Sequence, residues 1–478
     1  MNLAYIASAH PRVIDGGIRL DRVPAAAWLA VQTLALWPTW TWMARRVVDG
    51  SDDPLGLLAI AALVALVASL RGELRAAPRL GWLLLASLGT LAATALHGVL
   101  PPLLSGLVAV LAWACGLLAF LPRRVSALPV AGLAVLALPL LSSLQFYAGY
   151  PLRVLTAEAS RWLLMPGFDV SREGSTLWID GRLVIVDAPC SGVQMVWLGY
   201  FTACAVALWA RRSDRSFAAR LPVVGLLVLA GNVVRNSVLV ALEGAGQAPA
   251  PWVHDALGLL VLAVVCAGIA RAMGRATPAE ASASHAGLSM PWLERWLANR
   301  FVHRIAHKAL FGIVMAVCTL AAVAQAWQAP ASLPAQAFHE WPSTWDGAPL
   351  RPLALSEVEH RFAQRFPGAI ARMTDGQGVF VLRQVALPTR MLHPAADCYR
   401  ALGYRVAQVR LENDAQQRLW RCFSAARKHG ETLRVCERIV DADGRAFTDT
   451  SAWYWAAAAG QSRGPWQAVT VASSMGEP

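Results

Sequence analysis

The chain has 478 residues, 56% of them hydrophobic and only 15% charged, where an ordinary soluble protein carries roughly a quarter charged residues. That balance excludes a purely soluble class and points to a polytopic membrane protein. The net charge of +12 is not a nucleic-acid footprint and no nucleic-acid partner is expected, because the basic residues stand in short loops between apolar runs, as a topology signal does.

Residues 1–23 form a cytoplasmic N-terminal segment with Arg12, Arg19 and Arg22. No small-residue cleavage site follows, so the first apolar run reads as a retained helix. A span needs about 20 mainly apolar residues, and nine stretches qualify: 24–43, 54–70, 80–97, 102–121, 127–147, 191–210, 221–242, 253–270 and 309–327. With nine helices, the loops carrying Arg71, Arg75 and Arg79, then Arg123 and Arg124, then Arg211, Arg212, Arg215 and Arg220, share the side of the N-terminus. The positive-inside rule puts that side in the cytoplasm. Residues 24–273 are then a multi-helix membrane domain, 274–308 a cytoplasmic linker and 309–327 the ninth helix. The extracytoplasmic side receives the segment 148–189 and a soluble α+β domain over 328–478.

Within 148–189, residues 152–165 have apolar residues at helical spacing and are expected on the membrane surface. "STLWIDGRLVIVDAP" reads as two strands joined by Asp180-Gly181, a two-residue hairpin signal, and it delivers the chain to Cys190 at the mouth of the sixth helix. In the soluble domain "GVFVLRQVAL", "YRVAQVRL", "RLWRCFSA", "TLRVCERIV" and "PWQAVTVAS" have strand-like composition, and "LSEVEHRFAQRF" is helical.

Ionisable residues inside membrane helices are costly and mark function by default. Arg235 stands in the seventh helix with Asn232 on its face and Asn236 one turn beyond Asn232. His254 and Asp255 open the eighth helix, and Cys190 opens the sixth. All three placements fall on the outer side. A thiolate at a helix N-terminus beside a guanidinium has a lowered pKa, His254 could serve as general acid and base, and Arg235 could hold a developing oxyanion. Bland readings stand beside these: Cys190 as packing, Arg235 as a structural partner of Glu243 or of lipid headgroups, His254 as a polar tip. Cys115, Cys204, Cys266 and Cys318 lie inside apolar runs and read as filler. No His/Cys/Asp cluster has metal-ligand spacing, so no metal and no cofactor is expected.

The motifs "PCSGVQ", "GNVVRNSVLV" and "HDALGLLVLAVV", in that order and with that sidedness, resemble the exosortase/archaeosortase family of membrane cysteine transpeptidases. The resemblance implies Cys190 as nucleophile, with Arg235 and His254 as the other catalytic residues; Asn232, Asn236 and Asp255, by their positions beside these, are expected in support. It implies as substrates membrane-anchored proteins ending in a Pro-containing motif, a transmembrane helix and a basic tail. It also implies residence in the bacterial inner membrane and an acceptor at the surface, a polysaccharide or a lipid. "MLHPAADCYRALGYRV" is similar to the "H…CY…GW" signature of an extracytoplasmic domain tied to exopolysaccharide systems, with Tyr404 after Gly403 where a Trp is usual.

Cys422 and Cys436 flank His429 symmetrically, so a hairpin turning at "RKHGE" would set them opposite each other and an oxidising compartment would permit a disulfide. A rival pairing through Cys398 stays open, as does a second thiol site of His393 and Cys398 against a structural role for that pair. A polysaccharide polymerase, ligase or transporter would also have many helices and outer-face arginines but would not need Cys190. A thiol–disulfide oxidoreductase would need a second cysteine beside it.

Overall fold

Proline and run length decide which apolar stretches become single helices. The computed structural model describes residues 23–48, 52–185, 192–247, 250–274, 304–327, 341–364, 366–427 and 432–474. The run 24–43 is two helices, α1 (Ala25–Ala35) and α2 (Trp37–Val48), broken just before Pro38, which has no N–H for the ladder. The run 127–147 is likewise α6 (Ala127–Leu136) and α7 (Leu141–Tyr147), bent by 87° at a break that contains Pro139. Between them lie α3 (Gly56–Ser69), α4 (Leu80–Ala95) and α5 (Pro102–Phe120). Then come α8 (Gly149–Leu164), α9 (Val193–Trp209), α10 (Asp214–Gly244), α11 (Pro251–Gly274) and α12 (Arg304–Ala326).

Among the described residues four helices are long and apolar enough to cross a membrane: α5, α10, Trp252–Gly274 of α11 and His307–Ala326 of α12. The bent pair α6–α7 makes five if it counts as one span. Helices α1, α3, α4 and α9 have 10–17 residues, short of the ~20 a bilayer asks for. The chain is a membrane protein with a sheet-rich C-terminal domain, but nine full spans are more than these helices supply by length and composition.

Two compact units divide the chain. The first takes α1, α4, α5 and most of α12, packed on Trp28, Phe120, Phe311 and Met315. Its buried Gln32 donates to Thr90 Oγ1 (3.2 Å) and to the Ala112 carbonyl (2.9 Å).

The second unit holds α2, α3, α6 to α11 and everything after α12. A three-stranded meander follows α8: β1 (Val170–Glu173), β2 (Thr176–Ile179) and β3 (Arg182–Ile185). Strands β2 and β3 pair from Ile179↔Arg182 outward. Asp180 (φ 48°) and Gly181 (φ 76°) between them have the two positive φ values of a type I′ turn. Val170, Leu177, Ile179 and Val184 pack with Ala157 and Leu164 of α8 and Val240 of α10. Arg182 Nη1 donates to the Glu243 carbonyl at 3.2 Å, joining the Gly246 N–H that already caps it at the end of α10.

The C-terminal domain opens with the small hairpin β4 (Thr344–Trp345) and β5 (Ala348–Pro349). Its main sheet is antiparallel throughout, in the order β6 (Arg351–Leu353), β7 (Gly368–Thr374), β8 (Gly378–Val385), β13 (Trp466–Ser474), β11 (Thr432–Val440), β10 (Leu419–Ala426), β9 (Arg405–Asn413), with β12 (Ala446–Phe447) paired to β11. Helix α13 (Glu357–Ala363) starts on a capping box between Ser356 and Glu359. Helices α14 (Ala395–Ala401) and α15 (Thr450–Ala458) complete it. Alternation along β10 sends Trp420 and Cys422 to one core and Phe423 and Ala425 to another. Cys422 and Cys436 are directly opposed in the β10–β11 register, 4.0 Å apart at Cα, and form a disulfide. Cys398 is a free thiol; its Sγ lies 3.1 Å from His393 Nε2. His429 lies outside the described residues.

Candidate active site

Helices α10 and α11 lie against each other, which brings Arg235 to the first turn of α11. Arg235 Nη2 sits 3.3 Å from His254 Nδ1, both side chains half-buried. A guanidinium can only donate, so Nδ1 is the acceptor and the proton of the neutral ring is on Nε2. The ring's lone pair is thus the one engaged by Arg235. Gly258, one turn after His254, makes the room for this. A Cβ there would stand 3.2 Å from Arg235 Nε, 3.3 Å from Nη2 and 3.4 Å from Cζ. The guanidinium therefore lies close against helix backbone that carries no side chain.

Cys190 and Ser191 lie outside the described residues. Gly192, two residues after Cys190, caps α9 at φ 77°, a left-handed conformation that a side chain disfavours. Its neighbour is Asn232: a Cβ on Gly192 would be 2.7 Å from Asn232 Cγ and 2.9 Å from Nδ2. The N-terminus of α9 and the Asn232–Arg235 face of α10 are thereby in contact through a position that tolerates only glycine.

Asn232 and Asn236 are both 3% exposed. Asn232 Nδ2 donates to Thr156 Oγ1 (3.1 Å) and Asn236 Nδ2 to Ser160 Oγ (3.0 Å). Helix α8 turns its polar face inward and its apolar face outward. It buries Arg153, Thr156, Ala157 and Ser160 and exposes Leu155, Trp162, Leu163 and Met165. Asp255 is exposed, apart from the Arg235–His254 pair. Among the described residues no three His, Cys, Asp or Glu side chains gather as a metal site.

Sequence reasoning picked out Arg235, His254, Asn232 and Asn236 but not Gly258, Thr156 or Ser160. The available signal was the polar stripe 153–156–160 on α8, spaced by three and four residues as one helical face requires.

Comparison with known proteins returned no matching curated protein and no matching solved structure. The family profile described as transmembrane exosortase (Exosortase_EpsH) matches residues 26–271, more than half of the chain and every residue of the site above. The chain belongs to the transmembrane exosortase family.

Proposed function

We propose that the protein is a membrane cysteine transpeptidase that cleaves C-terminal sorting signals of exported proteins: a Pro-containing motif, a transmembrane helix and a basic tail. The observation that carries this reading is the Arg235–His254 pair at 3.3 Å, beside the α10 face on which the segment following Cys190 lands. Membership of the exosortase family supports the same substrate class.

In this mechanism Cys190 attacks the carbonyl at the cleavage site. Its proton goes to the one lone pair on the His254 ring, Nδ1. Arg235 must release that atom as it turns to the oxyanion, so base catalysis and oxyanion stabilisation are coupled in one movement. The imidazolium then protonates the departing amine and leaves an acyl-thioester on Cys190. An acceptor at the surface, a polysaccharide or lipid hydroxyl or water, takes the acyl group. Residence in the inner membrane with the C-terminal domain in the periplasm agrees with the Cys422–Cys436 disulfide, since oxidising compartments keep such bonds. A link to exopolysaccharide systems rests on the "H…CY" stretch, His393 to Tyr399.

The test is Cys190→Ala in cells that co-express a reporter ending in the three-part signal. Loss of reporter processing, together with an acyl-enzyme trapped on Cys190 in the parent and seen by mass spectrometry, supports the reading. Unchanged processing sinks it and favours a polysaccharide polymerase, ligase or transporter.

A further inference from the structure

The face of α8 that grips α10 also grips the C-terminal domain. Arg153, one turn before Thr156, is 2% exposed. Its Nη2 pairs with Asp449 Oδ2 at 2.6 Å. Asp449 is the N-cap of α15, accepting from Ala452 N, and its Oδ2 also lies 3.7 Å from Arg421 Nη1 on β10. Burial alone would push the Asp449 carboxyl up, but Arg153, Arg421 and the N–H groups of Ala452 and Ser451 outweigh it and hold it below its ordinary value, so the carboxylate stays charged. Five further contacts join α7 and α8 to the C-terminal domain. Tyr150 N donates to Ser451 Oγ (3.3 Å), Trp455 Nε1 to the Tyr147 carbonyl (2.7 Å), and Arg390 Nη2 to Ser142 Oγ (2.6 Å). The rings of Phe146 and Tyr147 meet Tyr454 edge-on at 5.2 and 5.3 Å.

We propose that Arg153 and Asp449 are positioning residues through which the C-terminal domain sets the active site. The ion pair fixes α8, and α8 holds Asn232 and Asn236, which flank Arg235 on α10. The inference rests on the proposed function for the identity of the site but adds to it: the C-terminal domain is a structural part of the catalytic apparatus rather than a substrate-recruiting appendage. A group buried at 2% exposure has no water to replace a lost partner, so removing either charge leaves α8 to reorient. A displacement of about 1 Å in a site can cost ~100-fold in rate.

The experiment uses the full chain in membranes and reads the pH profile of Cys190 alkylation by iodoacetamide, site by site, by mass spectrometry. A profile midpoint reports the cationic environment of the thiol, which simple loss of fold elsewhere does not shift. Arg235→Met is the reference variant and raises the midpoint if the site is as proposed. Asp449→Asn keeps the N-cap acceptor of α15 and removes the charge; Arg153→Met removes the partner and leaves the C-terminal domain intact. Each is expected to raise the midpoint by about half a unit or more, a threefold loss of thiolate near neutrality. Arg153→Lys restores most of it. The double variant goes no further than either single one, because both act through one contact. If Arg235→Met moves the midpoint and neither Asp449→Asn nor Arg153→Met does, the coupling is refuted while the site stands. If Arg235→Met also leaves it unmoved, the site assignment itself falls.

Discussion

Gly258→Ala should make the protein more stable and less active at once. In a helix interior Ala is favoured over Gly by about 0.5–1 kcal/mol, and Gly258 lies well inside α11. The new methyl would meet Arg235 Nε at 3.2 Å and Nη2 at 3.3 Å, a few tenths of an ångström inside ordinary contact. A guanidinium on a flexible stem can withdraw by that much, so the helix gain survives. The contact to His254 Nδ1, now 3.3 Å, then opens beyond hydrogen-bonding distance, and the guanidinium leaves the seat from which it turns to the oxyanion. Loss of one oriented donor at a reacting centre costs on the order of tenfold to a hundredfold in turnover. Gly268→Ala is the matched control, because on the same helix its methyl would meet only Leu227 methyl groups at 3.7 and 3.8 Å. Thermal unfolding in detergent and reporter-processing rates are measured on both. Raised stability in both, with activity lost only in Gly258→Ala, is the expected result. Equal activity of the two variants, or a Gly258→Ala deficit that tracks a loss of stability, refutes the placement of Arg235 over α11.

Three more outcomes can be checked on the C-terminal domain. Replacing Cys422 and Cys436 together by alanine removes a cross-link spanning 14 positions and should cost about 3 kcal/mol by the chain-entropy estimate, read as a lower urea midpoint of that domain. Burial pushes the Cys398 thiol up to about 11, so it should resist iodoacetamide at pH 7.5 in the folded protein and react freely once denatured. Burial and the Arg383 guanidinium push His393 down to about 4. The unfolded ring takes its proton near pH 6.5 and the folded one only near 4, so its contribution to stability is lost as pH falls through that window. Acid unfolding of His393→Gln should lack that slope; an unchanged slope would assign it elsewhere.

What could be read in advance was whatever short-range chemistry determines. Asp180-Gly181 dictated the hairpin of β2 and β3, because two successive positive φ values need such residues. The β10–β11 pair followed from period-two alternation on both sides of one turn. Helical register alone put Asn232 and Arg235 on one face. Strand β1 was not read, since "VSRE" has no apolar alternation, and β7 was hidden by the alanine-rich "GAIARMT". For α8 the period was legible but the buried face was not. Periodicity gives the angle between the apolar and polar faces of a helix but not which face points inward, and in a protein bathed in lipid the apolar face can be the outer one. Gly258 escaped notice because a helical glycine announces nothing until the rotation of the neighbouring helix is known.

That rotation is fixed by polar rungs. Thr156 and Ser160 are four residues apart, as are Asn232 and Asn236, and the bonds 156–232 and 160–236 ascend together, so α8 and α10 run in the same direction at this contact. Successive rungs stand one helical turn apart, about 5–6 Å. Sliding α8 by less than a turn breaks both rungs, each worth about 1 kcal/mol. Sliding it by a full turn re-forms only one rung, sets Leu152 or Leu164 against the other amide, and drags Arg153 off Asp449. Small displacements are therefore forbidden by the rungs and large ones by the ion pair. Together they leave α8 one seat on α10, and with it one position for the face that carries Arg235.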